Sequence, residues 1–87
     1  MTKLELHNDI HGRLPYTVVP SNDADRVRKF LADNGVRTNV EREVFRAEGN
    51  SYDFVRLTDE ADTTQLDALL QRWNAEQRAA KRQRGNE

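Results

Sequence analysis

Apolar residues recur along this chain with two different periods. Between residues 21 and 34, Ala24, Val27, Phe30 and Leu31 fall three and four positions apart, which predicts an amphipathic helix. Its ends agree: Ser21 or Asn22 can cap the first free N–H groups, Asp23 and Asp25 sit in the positive first turn, and Gly35 follows where a left-handed residue is wanted. Leu66, Leu69, Leu70 and Trp73 predict a second helix from residue 62 or 63 to 73, with Asp62 and Gln65 at capping-box spacing. The stretch 36–57 is instead rich in β-branched and aromatic residues and is broken by Glu48-Gly49-Asn50-Ser51. That pattern predicts a hairpin of strands 38–47 and 52–57 turning at Gly49-Asn50. Residues 14–19 read as a further strand and residues 3–6 as a weaker one, with turn chemistry between them from Asn8-Asp9 and Gly12.

The predicted order is ββαββα, a two-layer α+β sandwich with two helices on one face of a four-stranded antiparallel sheet. It is similar to a ferredoxin-like domain in which an N-terminal hairpin stands in for the last strand. The expected sheet order is first, second, fourth, third. A single domain over residues 1–75 would carry a basic tail over residues 76–87, expected to be frayed.

Composition narrows the picture. Of 87 residues, 36% are hydrophobic and 33% charged, and 14 Lys+Arg against 15 Asp+Glu leave a net charge of -1. A thin core is expected, and no global field draws the chain to nucleic acid or an anionic membrane. The absence of cysteine excludes disulfides and thiolate chemistry. No apolar run is long enough to span a bilayer or to act as a signal sequence, so a cytoplasmic location is expected. Charge is uneven near the end: residues 59–77 are acidic, whereas Arg78, Lys81, Arg82 and Arg84 are basic. That polarity complements the dipole of a helix.

Catalytic parts are scarce. His7 and His11 with Asp9 have metal-ligand chemistry, but Asn8-Asp9 and Gly12 disfavour the helix that would bring them together, and no further ligand stands near. They read as a polar turn. Ser21 and Ser51, the two serines, lie in no nucleophile elbow, and the glycines form no phosphate-cradling loop. Glu41 and Glu43 alternate along an edge strand, where charge blocks association. Neither an enzyme nor a cofactor is expected.

The hairpin carries the functional expectation. Side chains alternate between strand faces, so Val36, Val40 and Val44 share one side, with Val55 and Leu57, while Phe45, Tyr52 and Phe54 share the other. Two helices cover one face. The aromatic outer face, or an edge strand of the sheet, is therefore expected to bind a partner, a second copy of the chain first and another protein next. An alternative is RNA binding: exposed sheet aromatics flanked by Arg42, Arg46 and Arg56 are similar in layout to the platform of an RNA-recognition motif. The segment Arg42-Glu43-Val44-Phe45-Arg46-Ala47-Glu48 lacks that family's glycines and paired aromatics, and Glu41, Glu43 and Glu48 oppose a phosphate backbone.

Overall fold

Helix α1 (Ala24–Asp33) forms where the 3.6-residue period places it, burying Ala24, Val27 and Leu31. Its end is a complete Schellman motif. Gly35, at φ 85°, donates to Ala32 C=O at 3.0 Å, and Val36 donates to Leu31 C=O at 2.9 Å, which carries buried Val36 back onto buried Leu31. The start differs from expectation. Residues Ser21–Asp23 form a separate 3-10 turn, and no side chain caps α1. The Ser21 hydroxyl donates to Asp53 instead.

The computed structural model describes residues 3–9 and 11–85. Three strands, β1 (Tyr16–Pro20), β2 (Thr38–Ala47) and β3 (Asn50–Leu57), make an antiparallel sheet ordered β1-β3-β2, and α2 spans Thr63–Gly85. The sheet has three strands, not the expected four, and the order is βαββα, not ββαββα. Among the described residues the N-terminal segment meets β1 at one bridge, His7 opposite Tyr16. It then runs to α2, where the Asn74 amide accepts from Leu4 N–H at 2.9 Å and donates to Leu4 C=O at 2.8 Å. One helix side chain thus supplies the donor and acceptor that a neighbouring strand would repeat along its length, and Leu4 is buried without a ladder.

Helix α2 also corrects its expectation. It continues past Trp73 to Gly85, and Gln65 does not close a capping box but donates to Asn34 C=O at the end of α1. The side chains beyond residue 79, including the basic residues Lys81, Arg82 and Arg84, and residues 86 and 87 lie outside the described residues. Both helices pack on one sheet face. Val19, Val55 and Leu57 from the sheet, Val27 and Leu31 from α1, and Leu66, Leu69 and Leu70 from α2 form the core with Val36 and Leu4. At the seam between the helices, Phe30 and Trp73 meet edge to face at 5.3 Å, with the guanidinium groups of Arg26 over Trp73 and Arg72 over Phe30, each at 5.4 Å.

Candidate functional site

The hairpin turns one residue earlier than its composition suggests. Ala47 pairs with Asn50, so Glu48 (φ 52°) and Gly49 (φ 82°) occupy the two central positions with positive φ, as in a type I′ turn. Phe45 then faces Tyr52, not Phe54. Farther down, Glu41 faces Phe54 and Val40 faces Val55. Between those points β2 spends four residues while β3 spends two, so Arg42, Glu43 and Val44 bulge out opposite Asp53.

Parity explains why the expected faces survive these shifts. Every displacement of register is by an even number of residues, and an even slip keeps each side chain on its original face. The outer face, opposite the helices, carries Tyr16 and Val18 of β1, Tyr52, Phe54 and Arg56 of β3, and Glu41 and Phe45 of β2. Its rings form a chain of contacts. His7 stacks on Tyr16 at 5.4 Å, Tyr16 on Phe54 at 4.3 Å, Phe54 meets Phe45 edge to face at 6.4 Å, and Phe45 stacks on Tyr52 at 4.9 Å. All three expected partner-binding residues, Phe45, Tyr52 and Phe54, are brought together. Their exposure differs: Phe45 is 42% exposed, whereas Tyr52 and Phe54 are half-buried. Val44, in the bulge next to Phe45, is 40% exposed.

The three arginines considered for RNA have separate fates. Arg56 is 6% exposed. Its Nε donates to Glu41 at 2.7 Å, its Nη1 to Asp9 at 3.0 Å and to Leu14 C=O at 2.7 Å, and its plane lies 4.8 Å from the Tyr16 ring. Reaching a phosphate would require dismantling that cage. Burial opposes its charge, but the Glu41 and Asp9 carboxylates prevail and hold its pKa above the ordinary arginine value. Asp9 in turn is held below the usual carboxylate range, first by the His11 N–H that it accepts at 2.7 Å, and against a burial penalty also by Arg56. His7, Asp9 and His11 therefore serve as a strap over the outer face beside β1. Among the described residues no group of three or more His, Cys, Asp or Glu is placed to hold a metal ion.

Arg42 is exposed but bridges Asp53 at 3.2 Å and Asp25 at 3.0 Å. Arg46 is exposed and loosely paired with Glu43 at 3.5 Å. Asp53 is the residue that sequence reasoning missed. It is fully buried on the helix side of β3, where its Oδ1 accepts from Ser21 and from Glu43 N–H at 2.9 Å, and its Oδ2 from Arg42. Burial pushes its pKa up, yet those donors outweigh it and the net shift is downward. The carboxylate fastens the bulge to the β1–α1 junction, and Glu43 adopts φ 47°, strained for a side chain of its kind. An acidic residue in a run that alternates Tyr52, Phe54 and Arg56 with Asp53, Val55 and Leu57 was the available signal: a charge at a core-facing position demands partners.

Compared with known proteins, the chain matches no family model, no curated protein and no solved structure. Among the described residues no helix is long and apolar enough to cross a membrane.

Proposed function

We propose that this chain is a non-catalytic association module of the cytoplasm that pairs with a second copy of itself through the outer face of its hairpin. The observation that supports this reading is the Phe45–Tyr52 stack, which stands clear of both helices with Phe45 42% exposed beside exposed Val44. A two-fold arrangement needs only this one self-complementary patch. The surface of the molecule points the same way. At 10.1 kDa the chain exposes 6113 Å², against roughly 5300 Å² for a compact monomer of that mass.

Association through this patch is weak, because the rings already bury much of their area against one another. A phenyl side chain offers about 150–250 Å² in all, so the exposed share of Phe45 contributes on the order of 60–100 Å². Sedimentation equilibrium up to about 1 mM protein reaches interactions as weak as roughly −4 kcal/mol. A mass rising towards twice 10.1 kDa is expected, and Phe45→Ser should return it to one with the far-UV spectrum unchanged. A monomer throughout, or a dimer indifferent to Phe45→Ser, refutes the reading.

A further inference from the structure

On the opposite side of the sheet from the aromatic face, a cleft of about 590 Å³ opens between α1 and the start of β2. The helix presents Asp25, Arg28, Lys29 and Ala32 to it, at i, i+3, i+4 and i+7, a single stripe. At the end of the sheet Arg37, Thr38, Asn39 and Thr58 complete the lining, with Thr38, opposite core-facing Leu57, on the helix side. We infer that this cleft is a binding site for a phosphoryl oxyanion carried on a small polar molecule, held by Arg28, Lys29 and Arg37 with the Thr38 hydroxyl.

Four observations carry the assignment. The first is charge: among the described residues Arg28, Lys29 and Arg37 have no carboxylate partner, while Asp25, the one acid in the lining, is already taken by Arg42 at 3.0 Å. The lining thus sets three basic residues against one acid on a chain whose net charge is -1. The second is an orphan: Thr38 is 9% exposed and, among the described residues, its hydroxyl has no hydrogen-bond partner, although it lines the cleft. Leaving a buried hydroxyl without a partner is unfavourable, and a bound oxygen would relieve it.

The third is the strand edge. Leu57 N–H goes to Pro15, so in β3 the odd-numbered residues bond towards β1 and the even-numbered ones towards β2. In β2, Asn39 and Glu41 face those even-numbered partners, which leaves the backbone N–H groups of Thr38 and Val40 directed out of the sheet at its free edge. Cations, a hydroxyl and free backbone N–H groups together are the donor set that phosphate oxygens accept. The fourth is the floor: Ala32 leaves room, and no aromatic ring lines the cleft. A base therefore has nothing to stack on, which favours a phosphorylated polar body over a nucleic acid. The Thr58 hydroxyl donates to Arg37 C=O at 3.3 Å and steadies the cleft's corner.

The test is an amide NMR titration of the full chain with inorganic pyrophosphate at constant ionic strength. Saturable shifts at Arg37, Thr38, Asn39 and Thr58 are expected. The Arg28→Ala/Arg37→Ala pair should bind at least roughly tenfold more weakly, about 1.4 kcal/mol, and Arg46→Ala, on the hairpin, should bind as the native chain does. Both cleft arginines are exposed, so the pair's spectrum away from the cleft should stay unchanged. Shifts that fail to saturate, that sodium chloride reproduces, or that persist undiminished in the paired variant overturn the proposal. So does retention of a single-stranded oligonucleotide without any response to pyrophosphate. The cleft shares no residue with the Phe45 patch, so either proposal can fail alone.

Discussion

At the scale of single residues, this small protein depends on one charge placed where a hydrophobe is expected. Asp53 sits on the core-facing side of β3, and its carboxylate ties that strand to the β1–α1 junction through Ser21 and to the β2 bulge through Glu43 N–H and Arg42, whose guanidinium also reaches Asp25 of α1. Replacing it by alanine strands a backbone N–H and a hydroxyl. Asp53→Ala should therefore cost about 2–3 kcal/mol, read as a lower urea midpoint. Asp53→Asn keeps Oδ1, the oxygen that accepts from both Ser21 and Glu43, and should cost about 1 kcal/mol. Equal losses for the two substitutions would mean that the guanidinium, not the two neutral donors, dominates the site. The identity of Asp53 was plain in the sequence and its alternation even placed it inward, but its partners stand 10, 11 and 32 residues away, a separation that no local pattern encodes.

At the scale of elements, the hairpin is where local rules and pairing disagree most instructively. Gly49-Asn50 looked like the turn centre because both residues tolerate positive φ, yet the ladder places Glu48 and Gly49 there. A glutamate at φ 52° bears the steric cost of the left-handed region, which asparagine bears more lightly. Glu48→Asn, giving the favoured Asn-Gly turn, should raise stability by about 0.5–1 kcal/mol in thermal or urea unfolding. No gain, or a loss, would show that the turn is held by something other than its dihedral angles. The same register governs the site. Since the bulge adds two residues and not one, Phe45 stays on the face of Phe54 and Tyr52 even though none of the expected pairings is kept. The N-terminal segment teaches the converse lesson. Leu4 and Leu6 alternate as a strand should, but only Asn74, 70 residues away, settles that the segment is held by a helix side chain.

At the scale of the whole molecule, the chain is open for its size. Its radius of gyration is 13.3 Å, against about 12 Å for a compact chain of 87 residues, and its longest extent is 45 Å. A thin core makes the few buried polar contacts matter more, and they are carboxylate-based. Asp53 and Asp9 both have folded-state pKa values below the ordinary 3.8, so each contributes stability that is complete above that value and is lost as pH falls through the lower, folded one. Stability should hold from neutral pH down to about 5 and then fall below about pH 4 as the unfolded chain takes up protons first. Urea unfolding across that range checks this, and Asp53→Asn should flatten the acid limb. A limb equally steep in that variant would assign the acid sensitivity to other carboxylates.

What the linear chain determined alone follows from short-range rules: the 3.6 and 2.0 periods, the glycine after α1, and the side of the hairpin on which its aromatic residues lie. These depend on neighbours within a turn or a pleat. Tertiary structure decided the number of strands, the register, the burial of Arg56 beneath the Asp9 strap and the orphaned hydroxyl of Thr38, because each rests on partners from elements far apart along the backbone. A hydrogen-bonding group buried in the core must find a partner wherever one lies, and periodicity carries no record of that distance.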